Sequence, residues 1–132
     1  MKFSQKLARL EMFNVRVVIQ TFGTEKQFKA LTKKHKVWDG KSNWSVDNGD
    51  GENVQGTTYR FTGGHSAIWI QRASSLADWR DTATHELVHA MAHAMTTKGM
   101  EISHGGVHGP AGIDEVLAYG LCHLATQAGV FK

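Results

Sequence analysis

The chain has one cysteine and one proline, no internal repeat and no low-complexity tract. It also has no apolar run approaching the roughly 18–20 residues that a membrane-spanning helix needs. A lone Cys122 excludes an intrachain disulfide and fits a reducing compartment. The first residues, MKFSQKLARLEMF, are partly basic. They lack the apolar core of about 7–15 residues and the cleavage site of a secretory leader. A cytoplasmic location and no membrane partner are therefore expected. At 132 residues, 41% hydrophobic and 20% charged, the sequence is expected to form one globular domain over residues 1–132. The net charge of +3 and a pI near 9.1 leave nucleic acid or acidic partners open. The excess gathers in EKQFKALTKKHK, at Lys26, Lys29, Lys33, Lys34 and Lys36. Such charge most often solvates a helix face. No aromatic stacking platform interleaves it, so nucleic acid is a weakly supported partner.

Asn14 to Gln20 is β-branched and reads as a strand. Thr24 to His35 reads as a helix with Thr24 as N-cap. The stretch from Trp38 to Asn53 is rich in turn residues. Strands are expected over Val54–Thr62 and His65–Gln71, joined through Gly63-Gly64 as a hairpin. Ser75 and Asp78 fit a capping box that opens the longest helix, running to about Lys98. Ala83, Leu87, Val88, Ala90, Met91, Ala94 and Met95 make that helix apolar on most sides, so it should be central and buried. A loop rich in Gly and His follows, then a last helix from about Ala111–Asp114 to Gly129. The expected fold class is α+β, a small, mostly antiparallel sheet packed on the central helix, with a second C-terminal helix.

The central helix contains His85-Glu86-Leu87-Val88-His89, an H-E-x-x-H motif. Residues four apart share one helix face, so two imidazoles there can hold one metal ion. Glu86 lies about 100° round the helix from His85, where it can serve as a base without being a ligand. Polar groups inside a buried helix are costly unless paired or metal-bound, which favours zinc. A catalytic zinc usually takes three protein ligands. The candidates for the third are Glu115, His104, His108 and His93. His93 is disfavoured, because three successive turns of a straight helix span about 12 Å. Ala92 and Met95 stand where H-E-x-x-H-x-x-G-x-x-H would need Gly and His, which excludes a metzincin.

HELVHA followed by a later helix carrying E-V-L-A-Y resembles the gluzincin arrangement, and small H-E-x-x-H proteins of phages and bacteria have a similar E-x-x-A-Y segment. The resemblance covers roughly residues 68–127. It implies a minimal zincin fold, with His85, His89 and Glu115 as zinc ligands and Glu86 as the catalytic base for a zinc-bound water. The activity it implies is that of a zinc metallopeptidase acting on a peptide or protein substrate. Asp114 would be the ligand in an aspzincin-like variant, but Glu115 aligns better. His108-Gly109-Pro110 resembles the H-G-P piece of SprT-like proteases, which would make His108 the third ligand. The aromatic residue expected after that piece is missing. The zincin resemblance also suggests substrate pairing along an exposed sheet edge, for which HSAIWIQ is the candidate.

Other features are weaker. Tyr119 lies one turn after Glu115 and could bond an oxyanion, although core packing is the commoner fate of such a residue. The Asp47–Gly51 stretch lacks the spacing of a calcium loop and reads as a turn. His65 reads as structural or exposed, and Cys122 as a buried, inert thiol. The competing function is a zinc-stabilised regulatory or nucleic-acid-binding module without turnover. Glu86 argues against it, because a structural site needs no base.

Overall fold

The computed structural model describes residues 2–41, 45–46, 55–99, 102–103, 106–107 and 113–131, with the side chains of 45–46, 102–103, 106–107, 113–116 and 118 outside the description. The chain runs β1 (Ser4–Leu10), β2 (Val15–Thr21), α1 (Glu25–Lys34), β3 (Ser45–Val46), β4 (Gly56–Arg60), β5 (Ser66–Ile70), α2 (Leu76–Thr97), β6 (Ile102–Ser103), β7 (Gly106–Val107) and α3 (Ile113–Ala128). The fold is α+β. Its main sheet has the order β1-β2-β5-β4-β3, and β6 and β7 form a separate short ribbon. Three of the four pairings in the main sheet are antiparallel; β2 and β5 run parallel.

The two faces of the sheet carry two cores. On one, Ala8, Leu10, Val17, Ile19, Ile68 and Ile70 pack against α2 and α3 through Leu87, Met91, Met95 and Leu124. On the other, Val18 and Ala67 meet Phe28 and Leu31 of α1. The alternation of Val17, Val18 and Ile19 between cores is the period-2 signature of a strand covered on both sides. Lys6 on β1 donates from Nζ to the Ala128 carbonyl at 3.1 Å, placing a cation at the carboxyl end of α3.

Helix starts follow from local chemistry. Thr24 and Gln27 form a reciprocal capping box on α1. At α2, Ser75 accepts from the Asp78 amide, but the Asp78 carboxylate turns outward to the Ser74 amide and hydroxyl. The expected box is therefore half formed. The expected hairpin is present, with Arg60 opposite Ser66 across the Gly63-Gly64 turn. One strand goes beyond the sequence reading, and one expectation is corrected. The N-terminal segment forms β1, a full strand bonded along β2. HSAIWIQ is not an edge, because β5 lies between β2 and β4. No helix among the described residues is long and apolar enough to cross a membrane.

Candidate metal centre

α2 lies along β4, and β4 carries the residues that bring the helix close. Gly56 faces Thr82 and Glu86; a Cβ there would sit 2.8 Å from Thr82 Cγ2 and 3.1 Å from Glu86 Cγ. Two residues on, the Thr58 hydroxyl lies 2.8 Å from Glu86 Oε1 and 3.2 Å from the Glu86 carbonyl. Thr58 is 0% exposed and Glu86 2%, so the carboxylate is buried with a hydroxyl donor on one oxygen. A hydrogen bond to a charged acceptor in such surroundings is among the stronger ones. Gln55 links the start of β4 to the helix, accepting from the Thr82 hydroxyl at 3.0 Å.

The second carboxylate oxygen, Oε2, points toward His85, 3.8 Å from its Nε2. His85 Nε2 and His89 Nε2 are 3.2 Å apart. Two nitrogens bound at 2.0–2.1 Å to one tetrahedral ion stand about 3.3–3.4 Å apart, so the observed separation matches the bite of such a pair. Without an ion, one neutral imidazole would donate to the other at the same distance. Potential ligand atoms of His85, Glu86 and His89 all lie within 4.8 Å of one another, and this group could hold a metal ion. Beside it is a recess of about 370 Å³ lined by Gln55, Gly56, Asp78, Asp81, Thr82, His85 and Glu86. Its carboxylates favour a cation.

The expectation of a wholly buried motif is corrected: Glu86 is buried, but the His85 side chain is 67% exposed. The His89 side chain is half-buried. His93 is not part of the cluster; its Nε2 lies 2.8 Å from the Phe61 carbonyl. Position 115 lies on α3, which packs against α2, with Gly120 set against Met91. The side chains of Asp114 and Glu115 lie outside the described residues, as do His104, His108 and the Asp47–Gly51 stretch.

Tyr119 is 69% exposed rather than packed in the core. Cys122 is exposed, which corrects its reading as buried. His65 is structural: its Nδ1 accepts from the Arg16 amide at 3.0 Å. Burial pushes the pKa of His65 down, aided by Arg16, His93 and Lys98. Sequence reasoning missed Gly56 and Thr58. Both act across the helix–sheet contact, and neither belongs to a sequence motif. Comparison with family models, curated proteins and solved structures finds no match.

Proposed function

We propose that this chain is a zinc-dependent metallopeptidase of minimal, gluzincin-like zincin type. The observation that carries this reading is the 3.2 Å nitrogen pair beside a buried carboxylate. His85 and His89 would hold the ion through Nε2, with Glu115 as the third ligand and His108 as its rival. Zinc, when bound, supplies Lewis-acid polarisation of the scissile carbonyl and makes water at the site more acidic. Glu86 takes the water's proton on Oε2, because Oε1 is engaged by the Thr58 hydroxyl. It then delivers that proton to the leaving amine. Thr58 fixes the carboxylate in one orientation, so that no reorganisation is needed during the reaction. A purely structural site would have no use for an oriented, buried carboxylate. A cytoplasmic setting agrees with a single free thiol at an exposed position.

The test is Glu86→Gln. Metal content by elemental analysis should be unchanged, while hydrolysis of unstructured peptides falls by about 10²–10⁴-fold. Undiminished hydrolysis would overturn the mechanism. Glu115→Ala and His108→Ala, assayed for metal in parallel, identify the third ligand.

A further inference from the structure

A second and larger cavity begins one helical turn beyond the histidine pair, and its charge is opposite to that of the recess beside His85. It encloses about 870 Å³, and its wall includes Lys33, Lys36, Trp38, Asp39, Arg60 and His93. The cations come from three places in the chain: the last turn of α1, the segment after it, and the end of β4. All three are exposed at the surface. Arg16 stands behind them, its Nη2 donating to the Lys36 carbonyl at 3.4 Å. Two histidines lie close to these cations. His35 is held below its ordinary pKa by burial and then by Lys34, Arg9 and Arg16. His65, in the cavity wall, is lowered by burial and then by Arg16, His93 and Lys98.

α2 connects the two hollows. Asp78 and Asp81 line the recess on the N-terminal side of the pair, beside His85 and Glu86, and His93 lines the basic cavity on the C-terminal side. A chain lying across the histidines would meet carboxylates on one side and cations on the other. Electrostatic complementarity of this kind selects partners more than it adds affinity.

We propose that the cavity formed by Lys33, Lys36 and Arg60 binds an acidic stretch of polypeptide, which gives the peptidase proposed above a preference for substrates with carboxylate side chains past His93. This rests on the hydrolase reading for its meaning, but the binding is measured without turnover. Polypeptide fits better than nucleic acid, because the aromatic lining offers no open stacking platform: Phe61 is 6% exposed and Trp38 packs against the α1-side core.

The experiment uses the full chain carrying Glu86→Gln, and fluorescence anisotropy of labelled oligoglutamate and oligoglutamine peptides of equal length. The acidic peptide should bind at least about tenfold more tightly, and the advantage should shrink with added salt. Adding Lys33→Gln and Lys36→Gln, both at exposed positions, should remove most of it with an unchanged circular dichroism spectrum; Arg60→Gln should remove the rest. Equal binding of the two peptides, or an advantage that survives the substitutions, overturns the proposal. So does a labelled oligothymidine that binds more tightly than the acidic peptide through the same residues. If the wild-type zinc-loaded chain binds oligoglutamate in this manner but cleaves no acidic peptide, the hydrolase reading fails and the acidic-segment site stands.

Discussion

Two successive turns of α2 carry histidines at the same four-residue spacing, yet the pairs differ. From His85 to His89 the ring nitrogens converge to 3.2 Å. From His89 to His93 they do not, because His93 turns its Nε2 to the Phe61 carbonyl, 2.8 Å away. Helical spacing puts three imidazoles on one stripe, but the strand alongside decides which of them can share an ion. At the first turn β4 offers Gly56 and the Thr58 hydroxyl, which engage Glu86, and the imidazoles of His85 and His89 meet each other. At the second turn β4 has ended, and its next carbonyl engages the imidazole itself.

The sharpest way to break this contrast is to remove one histidine from each turn. His85→Ala should lower metal affinity by more than the roughly 10–100-fold typical of losing an outer-shell partner. His93→Ala should keep the metal and cost about 0.5–1.5 kcal/mol of stability for one hydrogen bond. Elemental analysis and denaturant titration read the two, and equal metal loss in both would show that the turns are not distinct.

The next effect concerns the strand. Thr58→Val removes a hydroxyl donor to a buried carboxylate oxygen and should cost about 1–3 kcal/mol of stability, together with a loss of the proposed turnover. Thr58→Ser should recover most of both. A Val variant as active and stable as the parent would deny the hydroxyl its role.

Gly56→Ala should destabilise by about 1–3 kcal/mol, because the new Cβ falls 2.8 Å from a stiff, β-branched Thr82 side chain. Thermal unfolding with Gly56→Ala and the compensating pair Gly56→Ala/Thr82→Ser would measure it. Recovery in the double variant assigns the cost to that one contact.

The smallest effect is on pH dependence. His65 has its pKa lowered below 6.5 in the fold, so the unfolded chain takes up its proton more readily. Its contribution to stability is intact above pH 6.5 and is lost as the pH falls through that value toward the lowered one. Protonating Nδ1 also breaks its bond from the Arg16 amide. Urea midpoints measured on either side of this range should fall on acidification, and His65→Gln should flatten part of that slope. His35, lowered in the same direction, supplies another part.

What could be read in the sequence was what is local. The His85-Glu86-x-x-His89 geometry, the Thr24 cap and the Gly63-Gly64 hairpin each depend on residues within a few positions of one another. β1 was missed because SQKLARL has polar or basic residues at most outward positions, and its partner β2 supplies the apolar strength of the pair. HSAIWIQ was misplaced at an edge because it adjoins the helix in sequence. Its signal was present, since a run buried at four of five positions without clean alternation suits an interior strand. Thr58 and Gly56 could not be found from their neighbours; their importance comes from a helix some 28 residues away in the chain.

The parallel pairing of β2 with β5 has a consequence for how the protein assembles. The strands on either side of that seam are far apart in sequence, Val17 opposite Ser66 and Thr21 opposite Ile70. Closing so long a loop is slow relative to forming hairpins and helices. β4 reaches β2 only through β5, so the hairpin of β4 and β5, with α2 following directly, can form before the seam joins it to β2. The grip of Thr58 on Glu86 therefore belongs to the more local part of the fold and does not wait for the seam. The histidine pair and the oriented carboxylate would thus assemble together, within residues 56–97, before the N-terminal strands are joined to them.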